Sequence, residues 1–302
     1  MLTGILLSVL AAVMWTGNAC AYSLVSRKRL PIVPFYALAT AIGSVSAAAQ
    51  VRWKIVLDGR AGNLAPLALI IVVCSIVNGA AVLLVLKAFR CGHHAVTWTL
   101  AQMAMVIYFL FSLLYWGEPA SVFQWAGLCL VLGAMAMLAP SGAAGPGEGA
   151  SQRDPPWHWL AFVMPAVLLT GMAQILFLIP SHWENGDPAG LRVFILLGTA
   201  SLLAFGLSAV RGQRVGRPMV GPAFLVGICG STGLRLSAVS GDILAPLKLS
   251  GLVYPISTVG TVILFAFCSR FLLRERFTAA RWAGVALGIV GMVLIGLRGR
   301  VH

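Results

Sequence analysis

The chain has 302 residues, of which 60% are hydrophobic and 10% charged, and a mean hydropathy of +0.94. A soluble domain carries roughly 25% charged residues, so this composition excludes an ordinary soluble enzyme and points to a polytopic membrane protein. The formal net charge of +13 does not indicate nucleic acid: the basic residues gather in short connectors such as "SRKR" (26–29), "VRWK" (51–54) and "RGQRVGR" (211–217), where they anchor and orient membrane helices.

The apolar runs match the about 20 residues that a helical span needs, and none shows the ten-residue alternation of barrel strands. Polar punctuation predicts helices over 2–25, 32–50, 64–89, 95–116, 121–139, 157–180, 190–210, 219–241, 248–273 and 279–297. The first opens "MLTGILLSVLAAVMW" without a basic lead-in and continues into Asn18 and Tyr22, so it reads as a membrane helix rather than a cleaved signal. Trp15 and Asn18 are three apart and share one face of it. Asn78 lies in the third run, Gln102 and Tyr108 in the fourth. Between those two runs, "RCGHHAVTW" (90–98) brings Cys91, His93 and His94 close in sequence. Adjacent histidines point to different helix faces, and no HExxH-like pattern occurs, so a polar junction is expected here. Cys20, Cys74, Cys91, Cys129, Cys229 and Cys268 form no CxxC pair. No disulfide framework, metal or other cofactor is expected.

The fourth and fifth runs are separated by a break containing Glu118, and the ninth and tenth by one containing Glu275. A carboxylate at such a helix end is solvated or caps a helix N-terminus. The stretch "APSGAAGPGEGASQRDPP" (139–156) is rich in Gly, Pro and Ser and divides five helices from five others. The expected organisation is one five-helix unit over 1–140, a flexible linker over 141–156 and a second unit over 157–302. In the second unit Gln174 lies in the sixth run, and "SHWENGDPAG" (181–190), with Glu184 and Asp187, reads as a loop. Arg235, in "GICGSTGLRLSAVSGD", falls well inside the eighth run, with Asp242 a candidate partner. Lys87 and Lys248 lie nearer helix ends, where long basic side chains snorkel. Tyr254-Pro255 opens the ninth run.

The two units repeat one another. Leu6, Val9, Ala12, Val13, Thr16-Gly17, Ala19 and Leu24 match Leu160, Val163, Ala166, Val167, Thr170-Gly171, Ala173 and Leu178 without a gap, and Asn78-Gly79 meets Thr232-Gly233 in the same register. After a three-residue insertion, Glu118 and Trp125-Ala126-Gly127 meet Glu275 and Trp282-Ala283-Gly284. Because five is odd, the second copy enters the bilayer from the opposite side. The expected fold is therefore an all-α membrane protein of ten transmembrane helices as two inverted five-helix repeats, an architecture of secondary transporters with a midplane site between the halves. Gly127, Gly133, Gly284, Gly288, Gly291 and Gly296 mark close packing of the fifth and tenth helices.

With its two Glu-bearing junctions followed by Gly-rich helices, in "LLYWGEPASVFQWAGLCLVLGAMAML" (113–138) and "FLLRERFTAARWAGVALGIVGMVLIG" (271–296), the chain resembles the drug/metabolite transporter superfamily, in particular the EamA-like ten-helix transporters. The resemblance implies movement of a small organic molecule, of the amino acid, sugar, nucleotide sugar or organic phosphate class, across the inner membrane. The small multidrug-resistance branch uses a glutamate in its first helix to bind lipophilic cations; "LLSVLAAVMWTGNACAY" holds no acid, which disfavours that mechanism.

Polar residues inside spans are costly and mark sites. Trp15, Asn18, Asn78, Gln102, Gln174 and Arg235 are therefore the expected substrate-binding residues, and the Arg235 guanidinium suits an anionic or zwitterionic substrate. The expected function is a secondary transporter, as exporter, exchanger or facilitator, working by alternating access as a monomer or homodimer among membrane lipids. The alternative is a membrane-embedded enzyme or lipid-handling assembly factor built on His93, His94 and Glu118. Basic residues in the connectors favour termini outside the cytoplasm, whereas the resemblance, which we follow, implies cytoplasmic termini.

Overall fold

The computed structural model describes all residues except 58–63, 91–93, 139–155, 184–188, 273–278 and 297–302. Residues 141–155 of the expected linker, Cys91, His93, Glu184, Asp187 and Glu275 thus lie outside the described residues, while Pro156, expected to end the linker, opens a helix. Among those described there is no strand, and twelve α-helices follow in order: α1 (Leu2–Arg27), α2 (Ile32–Ala48), α3 (Trp53–Leu57), α4 (Leu64–Phe89), α5 (His94–Gln102), α6 (Ala104–Leu114), α7 (Val122–Leu138), α8 (Pro156–Leu178), α9 (Ala189–Val210), α10 (Val220–Leu244), α11 (Val253–Leu272) and α12 (Ala279–Gly296). Seven apolar helical segments are long enough to cross a membrane, and Ile32–Ala48, Val122–Ala134 and Trp282–Ile295 are shorter apolar helices. The molecule is an integral, multi-pass helical membrane protein.

Three local departures from the expected elements occur, two of them with a local physical cause. The run 95–116 is divided at Met103, whose N–H donates to Leu100 O at 2.9 Å while its own carbonyl accepts from Val106 N–H at 3.0 Å. These i to i+3 bonds tighten one turn without stopping the span. The helix expected from 248 starts at Val253, because Pro246 ends the α10 ladder. Two 3-10 turns, Ala245–Leu247 and Ser250–Leu252, flank Lys248, which is left-handed with φ 54°. A short unforeseen helix, α3, follows α2.

The distribution of side chains is that of a protein solvated by lipid. Leu6, Leu69, Val73, Leu114, Leu202 and Val293 are exposed, whereas Ser8, Asn18, Ser75, Arg192, Ser237 and Ser240 are buried. Without water to drive helices together, close backbone approach and interhelical hydrogen bonds hold the bundle. Between α1 and α10, Ser8 Oγ and Ser240 Oγ lie 2.8 Å apart, and Ser240 Oγ donates to Gly4 O at 2.7 Å.

Helix pairing exchanges the two halves. α1 packs on α10 and α11, and α4 on α8, which also receives α5 and α6; α2 packs on α10 and α4 on α9. The remaining large contacts are α2 with α9 and α7 with α12. Both of these pairs run antiparallel. Ser201 Oγ donates to Ala37 O at 3.4 Å, and a Cβ built on Gly190 would lie 3.0 Å from Gln50 O, so sequence rises along α2 as it falls along α9. On α7 and α12, a Cβ on Gly127 would meet Gly291 O at 2.7 Å and one on Gly291 would meet Gly127 O at 2.9 Å. Only glycine admits that approach.

Candidate functional site

A cavity of about 160 Å³ opens between the halves. From the first half, Trp15, Asn18 and Tyr22 come from α1, Tyr36 and Thr40 from α2, Cys74 and Asn78 from α4, and Trp98 and Gln102 from α5. From the second, Thr170, Gln174 and Phe177 come from α8, Leu196 and Leu197 from α9, Ser231 and Leu234 from α10, and Tyr254, Ser257, Thr258 and Thr261 from α11. Five of the six residues expected to bind substrate, Trp15, Asn18, Asn78, Gln102 and Gln174, are brought together here. Arg235 is not among the lining residues.

Instead, Arg235 Nη1 donates to Gln50 Oε1 at 2.6 Å, tying α10 to the residues that follow α2. Its candidate partner Asp242 is engaged elsewhere: Asp242 Oδ1 accepts from Arg192 Nη2 at 2.7 Å. Arg192, near the start of α9, is fully buried and also donates through Nη1 to Ser181 Oγ at 2.8 Å. Sequence reasoning missed this arginine, although a charge in the apolar run "AGLRVFILLG" was a signal available to it. Lys87 and Lys248 are exposed. Thr232 does not line the cavity, but its neighbour Ser231 does.

The lining holds hydrogen-bonding capacity that the protein does not use. Asn18 Oδ1, Gln174 Oε1 and Trp98 Nε1 are buried without a partner in the structure, on residues 2%, 9% and 7% exposed. An unmet buried polar group costs roughly 1–3 kcal/mol. Groups of this kind gathered on one small cavity are complementary to a bound solute or to water. Tyr36, Trp98 and the "STVGT" run carrying Ser257, Thr258 and Thr261 were not anticipated; the last three fall on one face of α11 at helical spacing.

A carboxylate ties the connector between α6 and α7 to the turns that lead into α11. Glu118, on the connector between α6 and α7, is 6% exposed rather than solvated. Its Oε1 accepts from Ser250 N–H at 2.9 Å and from Ser250 Oγ at 2.5 Å, and its Oε2 accepts from Gly251 N–H at 2.7 Å. A first-half residue thus caps the N-terminal turns leading into α11 of the second half. Four residues on from Ser250, the Tyr254 ring meets Tyr108 edge to face at 4.8 Å, while Tyr108 Oη donates to Ser250 O at 3.1 Å. The cap therefore positions a wall of the cavity.

His182 completes this cluster. Its Nδ1 lies 3.2 Å from Leu178 O, and its Nε2 is 3.2 Å from Ser250 Oγ and 3.7 Å from Glu118 Oε1. Trp116 stacks on the imidazole with centroids 3.8 Å apart. Burial pushes the Glu118 carboxyl up, but hydrogen bonds from His182, from the Ser250 hydroxyl and from the N–H groups of Gly251 and Ser250 outweigh it and hold the carboxyl below its ordinary range. The hydroxyl, imidazole and carboxylate are not arranged as a nucleophilic triad, because the carboxylate faces Nε2 rather than orienting Nδ1. The alternative cluster of His93, His94 and Glu118 is not seen: His93 and the His94 side chain lie outside the described residues.

The fold and the cavity define a helical membrane protein with a solute-sized chamber enclosed by two groups of helices. Residues 2–139, somewhat less than half of the chain, match the EamA-like transporter family, which supports the resemblance to the drug/metabolite transporter superfamily. A solved structure, described only as "Crystal structure of protein", is similar over 97% of this chain and 98% of that chain, with a TM-score of 0.67 and 17% identity, a likeness of fold. No curated protein matches the chain.

Proposed function

We propose that the protein is a secondary transporter that moves a small polar organic molecule across the inner membrane by alternating access between two inverted five-helix halves, 1–140 and 157–302. The observation that carries this reading is the central cavity, to which both halves contribute and on which four buried polar atoms, those of Asn18, Tyr36, Trp98 and Gln174, remain unmet. The antiparallel packing of α2 on α9 and of α7 on α12 supports the inverted relation, since each is a pair of equivalent helices running in opposite senses. Rocking of one half against the other would then open the chamber alternately to the two sides.

Within this reading Trp15, Asn18, Asn78, Gln102 and Gln174 contact the solute. The expectation of an anionic substrate rested on Arg235, and the Arg235–Gln50 bond instead supports a role in holding α10 against the end of α2. The test is flux of radiolabelled candidates into proteoliposomes. Time-dependent accumulation that unlabelled solute accelerates from the opposite side supports exchange or facilitation. No flux for any solute the purified protein binds would refute the transporter reading.

A further inference from the structure

Resting on the reading of this cavity as the transport site, we infer that its ligand is an uncharged, ring-sized compound bearing both an N–H donor and a carbonyl or ring-nitrogen acceptor, an amide or lactam on a single planar ring. Size comes first. A cavity of about 160 Å³ compares with roughly 150 Å³ for an engineered cavity that takes up benzene, and lies below the roughly 300–1,000 Å³ of sites for drug-sized ligands. One ring with a compact substituent fits that scale.

Charge comes second. No Lys, Arg, His, Asp or Glu occurs among the described lining residues. Outside the lining, the Arg235 guanidinium is hydrogen-bonded to the Gln50 amide, Arg192 is paired with Asp242, and His182 lies beside Glu118. Even the N-terminal turns leading into α11, whose unpaired N–H groups could hold an anion, are occupied by the Glu118 carboxylate. An ion entering this space would give up its hydration without a counter-charge, which the low local dielectric penalises heavily.

Pattern comes third. The unmet atoms are two acceptors, Asn18 Oδ1 and Gln174 Oε1, one donor, Trp98 Nε1, and the Tyr36 hydroxyl, which can do either. They call for a ligand that donates at least twice and accepts at least once. Trp15, Tyr36, Trp98 and Tyr254 supply aromatic surface for a flat ring.

The test uses the full-length protein in nanodiscs and isothermal titration calorimetry with matched pairs that differ in one charge: nicotinamide against nicotinate, and uracil against orotate. The expected result is that each neutral member binds at least tenfold tighter than its acid, and that Trp98→Phe, which removes the N–H while keeping a ring, and Gln174→Leu each weaken the neutral member about tenfold. Equal or tighter binding of either acid, no binding by either neutral compound, or unchanged binding in both variants overturns the inference. Should Gln174→Leu fail to fold, Trp98→Phe decides alone. Neutral compounds that bind with this pattern yet show no proteoliposome flux uphold the inference about the ligand while removing the transporter reading.

Discussion

The Glu118 carboxylate of the first half and the Gly251 amide of the second are joined by a 2.7 Å hydrogen bond, with Ser250 bonded to the other carboxylate oxygen. Because Glu118 sits on a connector and Ser250-Gly251 precede α11, this contact spans the interface that the proposed alternating access would remodel. Replacing Glu118 by Gln keeps the shape but turns an acceptor into an amide donor facing N–H groups. Charge-assisted bonds contribute about 1.5–3 kcal/mol each, so Glu118→Gln is expected to lower the thermal midpoint by several degrees in nanodiscs. Glu118→Asp, which retains charge with shorter reach, should fall between.

The same carboxyl predicts an acid limb. Its folded pKa lies below the unfolded value, about 4.3 for glutamate, so its stabilisation is complete above that value and is lost as pH falls through the depressed folded pKa. Thermal midpoints measured from pH 7 downward should decline through this window in the wild-type chain. The decline should be shallower in Glu118→Gln. Identical acid limbs in both would mean that Glu118 is not the titrating group.

Gly251 leaves no room for a side chain. A Cβ there would collide with Ser112 Oγ and lie 3.0 Å from Glu118 Oε2. Gly251→Ala is expected to destabilise by about 1–3 kcal/mol, the usual range for overpacking. The double variant with Ser112→Gly should recover part of that loss, because it removes the hydroxyl in the way. Equal melting of the single and double variants would count against the steric account.

Asp242→Asn tests the buried arginine. Arg192 is wholly enclosed, and breaking a buried pair typically costs about 3–5 kcal/mol. Asp242 is 30% exposed in its side chain, and solvent screening places the expected loss at or below the lower end of that range. The readout is the thermal midpoint, with ligand affinity at the central cavity nearly unchanged.

Arg235→Ala separates strap from site. With the guanidinium bonded to Gln50 and outside the lining, the variant should change equilibrium binding of the neutral probes less than threefold while altering transport rate. A tenfold or greater loss of binding in folded protein would return Arg235 to the substrate site.

Much of this organisation is legible in the chain because lipid makes polar residues conspicuous. Asn18, Asn78, Gln102 and Gln174 stand out in apolar runs for the reason that they must face something other than hydrocarbon. Trp98 and Tyr36 do not stand out, since an aromatic residue in an apolar run is equally at home in packing. Arg235 was conspicuous for the same reason as the amides, but sequence does not show that Gln50, 185 positions away, accepts its hydrogen bond. Pairing over such distances is a property of the folded bundle. The Glu118 cap was legible as a possibility at a helix end, whereas its position across the two halves followed only from their packing.

The charge-poor lining of the central chamber has an electrical consequence. Moving one elementary charge through a potential of 100 mV involves about 2.3 kcal/mol of work, but a neutral solute in a chamber with no ionised wall carries none. If the inferred neutral ligand moves without a coupled ion, turnover is electrically silent, voltage neither drives nor resists it, and the solute's own concentration ratio sets the direction of net movement.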